Sequence, residues 1–458
     1  MSYSSLEEKL QALGNPALML QNAPAGRYVY PIAPEFTNWI EEQRAWRETA
    51  VLFDQSFHMT DLYVKGPDVV RLLSHLGINS FQNFGRNKAK QFVCCNHDGY
   101  VIGDVILFGL EDDLVSLVGR PPVPNWVQFH AETGGYDVTV ERDERTADEP
   151  GKPRKTYRYE VQGPNAMKIL EAVNEGGPLT TRFFHMGEIT IAGCRARTLA
   201  HGMGGAPGLE LWGPAEEGPK VKAALIEAGQ EHGLRQAGAR AYSTVAMESG
   251  WIPSPLPAIY TGEKMRPYRE WLPATSFEAV CSIGGSFQSE NVEDYYLTPW
   301  DLDYGRMIRF DHDFIGREAL ERMAGGPHRR KVTLVWDKQD VLKVYAGLME
   351  EGEMMPKLME MPAAHYAAHP YDRVVRDGRT VGISTYPVYT ANERAWISLA
   401  TVEEKLSQPG THLTVIWGEA EGGTRKPAVE RHRQTEIGAT VHPWPIHEAS
   451  RRTYRARK

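Results

Sequence analysis

A chain of 458 residues is long enough for two or three domains and a large core. A net charge of −8 with both signs interspersed excludes the clustered basic face of a nucleic-acid binder, and four cysteines exclude a disulfide scaffold. No apolar run reaches membrane-span length and Met1-Ser-Tyr-Ser-Ser lacks a signal-peptide pattern, so a soluble cytoplasmic protein with free thiols, bound to no membrane, is expected.

With 43 Gly, 30 Pro and 10% aromatic residues, the composition predicts a β-rich α+β protein. Arg27-Tyr-Val-Tyr30 reads as a strand that puts Tyr28 and Tyr30 on one face. The apolar entry Val51-Leu-Phe53 leads into Gln55, Phe57 and His58. One local pattern then occurs three times: Leu62–Leu73, Tyr159–Leu170, and, more loosely, Leu209 through Gly213-Pro214 to Leu225. Each copy is an alternating stretch, Gly-Pro, then an apolar face of helical period. Proline at the first helical position loses no needed N–H, so each copy predicts strand, turn and helix.

Arg120 follows the apolar strand Leu114–Val118, and 146–155 is a polar, proline-bearing connector. Gly202–Gly208 is a glycine-rich hairpin turn, with Glu210 on the strand after it. Tyr242 and Glu248 flank Val245, and Trp251 follows. A second connector, Gly325–Lys331, opens a strand-rich remainder: 331–336, 379–384, 395–400, and a hairpin from 413–417 to 426–430 turning over Gly422-Gly423. Residues 350–370 read as a long irregular connection or lid, and the basic tail Arg451–Lys458 as a solvated terminus. The chain is therefore expected to divide at 1–325 and 326–458, with a sub-domain boundary near 146–155.

No metal site is expected. Cys95-Asn-His97 is half of a Rieske-type pattern whose other half is missing. His365-Tyr-Ala-Ala-His369 puts two histidines one helical turn apart, but without a zincin's glutamate and with Pro370 next. Asp311-His-Asp313 precedes a helix start, where aspartate is an ordinary cap. The Gly202 loop has no Lys-Ser/Thr and no following helix, so it is no phosphate loop. A Gly-x-Ser-x-Gly elbow is also missing. What remains is a set of aromatic, basic and polar residues at strand ends. Singly, each has a plain structural alternative: Tyr30 as core aromatic, His58 as satisfied core histidine, Arg120 as loop charge.

Phe53–His58, Gly202–Glu210 and Asp313–Leu320 together resemble the aminomethyltransferase (glycine-cleavage T-protein) superfamily, and Tyr242 within Arg240–Trp251, with Tyr28–Pro31, Ala50–Gln55, Lys88-Ala-Lys90, Gly103-Asp104, Gly119-Arg120, the Gly202 loop, Glu248–Pro255 and Asp311–Gly316, resembles one branch of it. Over essentially the whole chain the resemblance is to its tetrahydrofolate-dependent aryl O-demethylases, which act on vanillate and syringate. Leu76–Phe81 and Gly99–Phe108 look more like the syringate branch. The resemblance implies an aminomethyltransferase-like, multi-domain folate-binding α+β fold with a C-terminal β-barrel-like domain. It implies methyl transfer from a methoxylated aromatic acid to tetrahydrofolate, giving 5-methyltetrahydrofolate and, from syringate, 3-O-methylgallate, with neither metal nor redox cofactor. Tyr242 would be the proton donor. Arg120 would hydrogen-bond near the reacting oxygen or the substrate's 4-hydroxyl and bias Tyr242 toward proton release. His58 and Tyr30 would hold the phenol ring with Tyr28 also at the substrate, Phe57 would shape the pocket around a second methoxy group, and Gln55, Glu210, Trp251 and Asp104 would line the folate site. Vanillate or 3-O-methylgallate is the nearest alternative substrate. A folate-dependent aminomethyl or N-methyl transferase and a non-catalytic folate-binding protein are further alternatives. The first is disfavoured because only Asp104, after Gly103, stands where paired aspartates are usual. The oligomeric state, monomer or homo-oligomer, is left open.

Overall fold

The structure, a computed structural model, describes residues 3–26, 28–146, 151–253, 255–422 and 426–456, the side chains of 453–456 excepted. Arg27, residues 147–150 of the expected connector, Gly423 of the expected turn and the last two residues of the basic tail lie outside the described residues.

Strands β1 (Ala50–Asp54), β2 (Thr60–Lys65), β3 (Ala89–Cys95), β4 (Val101–Gly109), β5 (Leu114–Gly119) and β6 (Thr139–Asp143) precede the connector. After it come β7 (Thr156–Gln162), β8 (Met186–Ile191), β9 (Cys194–Leu199), β10 (Gly208–Pro214) and β11 (Leu234–Gln236). They do not sort simply by chain position. One sheet has the order β3-β4-β5-β2-β6, whereas β1 joins the other, β11-β1-β7-β10-β9-β8. β1 lies parallel to β11 and antiparallel to β7. Residues 55–59 therefore cross from one sheet to the other, and this crossing carries Gln55, Phe57 and His58.

All three Gly-Pro copies form strand, turn and helix. The proline does not take the first helical position in the first two. There Pro67 and Pro164 precede the N-cap residues Asp68 and Asn165, and the helices run Val69–Leu76 and Ala166–Val173. In the third copy Pro214 ends β10, and a second Gly-Pro, Gly218-Pro219, opens the helix Gly218–Gly229. The apolar phase matters more than the proline's exact place: Leu72, Leu73 and Leu76 are buried, as are Ile169, Leu170 and Val173.

Two-residue strand β12 (Ile283–Gly284) runs parallel to β14 (His369–Pro370). β13 (Arg330–Trp336), β15 (Asp372–Arg376), β16 (Arg379–Thr390), β17 (Ala395–Val402), β18 (His412–Trp417) and β19 (Thr435–His442) close a barrel in the order β13-β17-β16-β15-β18-β19. Its interior packs Val332, Leu334, Trp417, Ile437 and Val441. Ile397 and Leu399 of β17 pack instead on Met247 and Ile252, which seats the barrel against helix Ala239–Ser249. Truncating such a buried Met or Leu costs about 2–5 kcal/mol.

Four expectations are corrected. Tyr28–Tyr30 is irregular rather than a strand, and Val29 is 62% exposed. The partner of β18 is β19, not 426–430, which forms a turn. Pro427 has no N–H to give a ladder, whereas Ile437, Ala439 and Val441 alternate inward. His365 and His369 share no helix, since His369 lies in β14. Gly316 rather than an aspartate caps helix Arg317–Met323.

Candidate active site

Helix Ala239–Ser249 carries Tyr242, buried against Phe53 of β1. Its start is fixed by Gly238, whose N–H donates to Glu42 Oε2 at 2.8 Å. A Cβ on Gly238 would lie 2.3 Å from the Pro34 carbonyl oxygen, so the close approach admits only glycine. Ala241, Tyr242 and Val245 pack with Trp46 and Phe53. Glu248, one and a half turns on, turns toward the barrel. It accepts from Trp46 Nε1 at 3.0 Å, pairs with Arg47 at 2.9 Å and bonds Asn392 at 3.1 Å. It is therefore a buried structural anchor.

Tyr242 Oη lies 3.1 Å from His58 Nε2. The Tyr242 ring is 4.6 Å from Tyr30 and 5.5 Å from Phe53, and Tyr30 is 5.2 Å from His58. Tyr28 completes the cluster: its ring is 5.4 Å from Tyr30 and its hydroxyl donates to the His58 carbonyl. The guanidiniums of Arg120 and Arg145 lie over the Tyr28 ring at 4.3 and 4.7 Å. Half-buried Phe57 makes no ring contact among the described residues, so it stands apart from this cluster.

Burial, reinforced by Arg120, Arg145, Arg154 and Arg158, holds the His58 pKa down at about 3, so its ring is neutral. Burial, with Tyr30, Glu160 and Glu210, raises the Tyr242 pKa well above the ordinary tyrosine value. The expected bias of Tyr242 toward proton release by Arg120 is thus not what the geometry gives. Arg120 works on Tyr30, Tyr28 and Tyr386 instead. Its Nη1 is buried with no hydrogen-bond partner among the described residues.

Behind the rings is a second, carboxyl-lined part of the pocket. Glu210 and Glu160 face each other across β10 and β7. Arg158, two residues along β7, is bonded by Glu210 and sits 2.8 Å from Asp61. Glu160 pairs with no lysine or arginine among the described residues. Its Oε2 accepts from Gln55 Nε2 at 2.9 Å and its Oε1 from the Met203 N–H at 2.8 Å. Burial and Glu210 together push the Glu160 pKa up to about 8. His201 Nδ1 lies 4.0 Å from Glu160, and both it and Gln162 Nε2 are buried without hydrogen-bond partners among the described residues. Met203 Sδ touches Gln55 Nε2 at 3.3 Å and Tyr242 Oη at 3.6 Å, joining the two parts. Glu160, His201 and Glu210 could also converge on a metal ion, but Arg158 already engages Glu210.

Asp104 and Trp251 meet each other rather than Gln55 or Glu210: Asp104 Oδ2 accepts from Trp251 Nε1 at 3.1 Å and Gln91 Nε2 at 2.8 Å. Burial raises the Asp104 pKa, which those hydrogen bonds partly offset.

Two residues escaped the sequence reading. Glu160 belongs to a polar face of β7, Arg158-Glu160-Gln162, whose opposite face, Tyr157-Tyr159-Val161, packs in the core. That period-2 alternation was a readable signal. Tyr386 comes from the barrel. It sits at a bulge in β16 with φ +52°, a conformation costly for a non-glycine residue. Its hydroxyl donates to the Ala368 carbonyl at 3.0 Å and it hydrogen-bonds Arg120. Pro387 within a strand pattern was the signal there.

Residues 22–254 match the GCVT N-terminal domain family. Over 451 residues the chain is 49% identical to syringate O-demethylase of Sphingobium sp. strain SYK-6, covering 98% of this chain and 97% of that one. It is 29% identical over 426 residues to sesamin methylene transferase of Sinomonas sp. strain No.22, covering 90% and 89%. The fold is similar to the glycine cleavage system aminomethyltransferase T from Bartonella henselae, with a TM-score of 0.61 at 16% identity, covering 94% and 97%.

Proposed function

The chain belongs to the GCVT family, within the aminomethyltransferase superfamily, and from that premise we propose that it is a tetrahydrofolate-dependent aryl O-demethylase that takes a methyl group from syringate. The products are 5-methyltetrahydrofolate and 3-O-methylgallate. The observation that carries the reading is the buried pairing of Tyr242 Oη with His58 Nε2 among aromatic rings, in a chain 49% identical to a syringate O-demethylase.

The carboxyl-lined part of the pocket fits a reduced pterin, which offers a row of N–H donors and a carbonyl acceptor. Glu160, Glu210 and Gln55 supply acceptors and donors, and the orphan Gln162 Nε2 and His201 Nδ1 await partners. Asp104 and Trp251 form a second wall of the folate site. Tetrahydrofolate bound there supplies a nucleophilic nitrogen to accept the methyl group.

The chain's own residues do the rest. An aryl methyl ether is inert because phenoxide leaves poorly. Tyr242 holds its proton at Oη for the ether oxygen, and its raised pKa keeps that proton in place until phenoxide charge develops. General acid help of this kind is worth roughly 10²–10⁴-fold. Neutral His58 orients the Tyr242 hydroxyl. Arg120 offers its unpartnered Nη1 to a substrate oxygen, and Tyr28 and Tyr30 pack against the ring. The same reading takes 1–325 as the folate- and substrate-binding region, and 326–458 as a barrel domain that backs it through Tyr386.

The test is an anaerobic incubation with tetrahydrofolate and equimolar syringate and vanillate, following both phenols and 5-methyltetrahydrofolate. Preferential loss of syringate with stoichiometric methyl-folate is expected. No turnover without oxygen would sink the proposal, and faster vanillate loss would move it to the other branch.

A further inference from the structure

The glycine-rich turn between β9 and β10 sets one side chain against the catalytic hydroxyl. At Gly202 a Cβ would lie 2.4 Å from the Ala206 carbonyl oxygen, so the backbone there admits only glycine. The turn closes with the Gly205 N–H on the Gly202 carbonyl at 3.2 Å. Between them, the Met203 N–H donates to Glu160 Oε1 at 2.8 Å, and the Gly204 N–H to Gln162 Oε1 at 3.1 Å. Methionine is ordinarily an adaptable side chain. Here its backbone is tied to β7, and its side chain packs on the cluster of Trp46, Phe53 and Tyr242. The sulfur accepts from Gln55 Nε2 at 3.3 Å and from Tyr242 Oη at 3.6 Å.

Tyr242 therefore has one proton and two neighbours for it, His58 Nε2 at 3.1 Å and Met203 Sδ at 3.6 Å. A neutral imidazole carries a single N–H. With that proton on Nε2, His58 donates to Tyr242 Oη, and the tyrosine's own proton turns to the sulfur. This arrangement keeps the proton off the imidazole and free for a substrate oxygen. A thioether is a weak acceptor, whereas a hydrogen bond to a charged oxygen is roughly twice as strong as a neutral one. The sulfur can thus direct the O–H at rest and still lose it to a phenolic oxygen as negative charge develops there.

We propose that Met203 is a positioning residue for methyl transfer, its thioether holding the Tyr242 O–H turned away from His58 until the ether oxygen of the substrate takes the hydrogen bond. The inference rests on the demethylase reading above and adds to it the group that fixes the direction of the Tyr242 proton.

The experiment compares anaerobic steady-state demethylation of syringate by the unsubstituted chain, Met203→Leu, Tyr242→Phe, the double variant and the selenomethionine-labelled chain, with thermal midpoints as the folding control. Met203→Leu removes the acceptor at nearly constant volume, and selenium keeps one. In Met203→Leu kcat should fall about tenfold, with KM for syringate and for tetrahydrofolate within about twofold. The selenomethionine chain should keep its rate. In a Tyr242→Phe background Met203→Leu should lower the rate no further, which a loss of packing would not produce. An unchanged kcat in Met203→Leu, a loss confined to KM, or a full loss repeated in the Tyr242→Phe background overturns the proposal. Tyrosine ¹³Cζ NMR supplies a readout free of turnover. The Tyr242 resonance, identified by its disappearance in Tyr242→Phe, should move in Met203→Leu, and a stationary resonance overturns the proposal. If the unsubstituted chain demethylates nothing, the demethylase reading fails, and with it the role in methyl transfer, while the resonance still decides whether the sulfur holds the Tyr242 proton.

Discussion

His58 and Glu160 lie in the same buried pocket, yet their surroundings carry opposite charge. Around His58 are Arg120, Arg145, Arg154 and Arg158, which add to burial and drive its pKa down to about 3. Opposite Glu160 stands Glu210, which adds to burial and drives its pKa up to about 8. Burial alone disfavours charge on either residue, and the neighbours' sign makes the preference stronger at both. At neutral pH both His58 and Glu160 are thus held uncharged beside the charged Arg158–Glu210 pair. Tyr242, linked to both parts through His58 and Met203, is the group left to carry the proton.

Tyr242→Phe keeps the ring packing and removes the proton, so kcat should fall by about 10³-fold with the thermal midpoint little changed. Steady-state rates check this, and an undiminished kcat would remove Tyr242 from the chemistry. Arg120→Ala should lower kcat/KM for syringate by about 100-fold, because a charge-assisted contact to substrate is lost. The same variant should raise the His58 pKa, followed by NMR titration, but not to its ordinary value, because burial is the larger cause. Tyr386→Phe removes the phenolic partner of Arg120 and should cost about tenfold in kcat/KM. Its rate loss should be bypassed in an Arg120→Ala background, which a purely structural role would not produce.

Glu160→Gln is read on stability rather than on rate, and its effect is the most diagnostic. The folded-state pKa of Glu160 is raised, so its contribution to stability is fully present below the unfolded value of 4.5 and is lost as pH rises through about 8. Glutamine titrates nowhere in this range. The unfolding free energy of the variant should therefore gain on that of the unsubstituted protein as pH rises from 5 to 8, by up to about 1.4 kcal/mol per pH unit. A constant gap in melting curves across that range would refute the assignment. At the other end the sign reverses: the lowered pKa of His58 contributes stability above pH 6.5 that is lost as pH falls toward 3.

The sequence by itself determined a good deal. Strand, turn and helix at the Gly-Pro copies follow from local period and from the rigidity of proline, which act within a dozen residues. The barrel strands 331–336, 379–384 and 395–400 follow from the same short-range alternation. The aromatic and basic candidates Tyr28, Tyr30, His58, Arg120 and Tyr242 were legible as residues, and the structure brings them into one cluster. What only the tertiary structure decided is which groups face one another across long separations. β18 pairs with β19 instead of the nearer 426–430 because register is chosen by core burial, not by proximity in sequence. Glu210 is engaged by Arg158, Asp104 and Trp251 turn to each other, and Glu160 is left with Gln55 and the Met203 N–H rather than a cation among the described residues, because strand pairing sets these distances. The protonation of His58, Tyr242 and Glu160 is likewise a tertiary property. A pKa is set by burial and by the charges within a few ångströms, and those neighbours come from strands far apart in the chain.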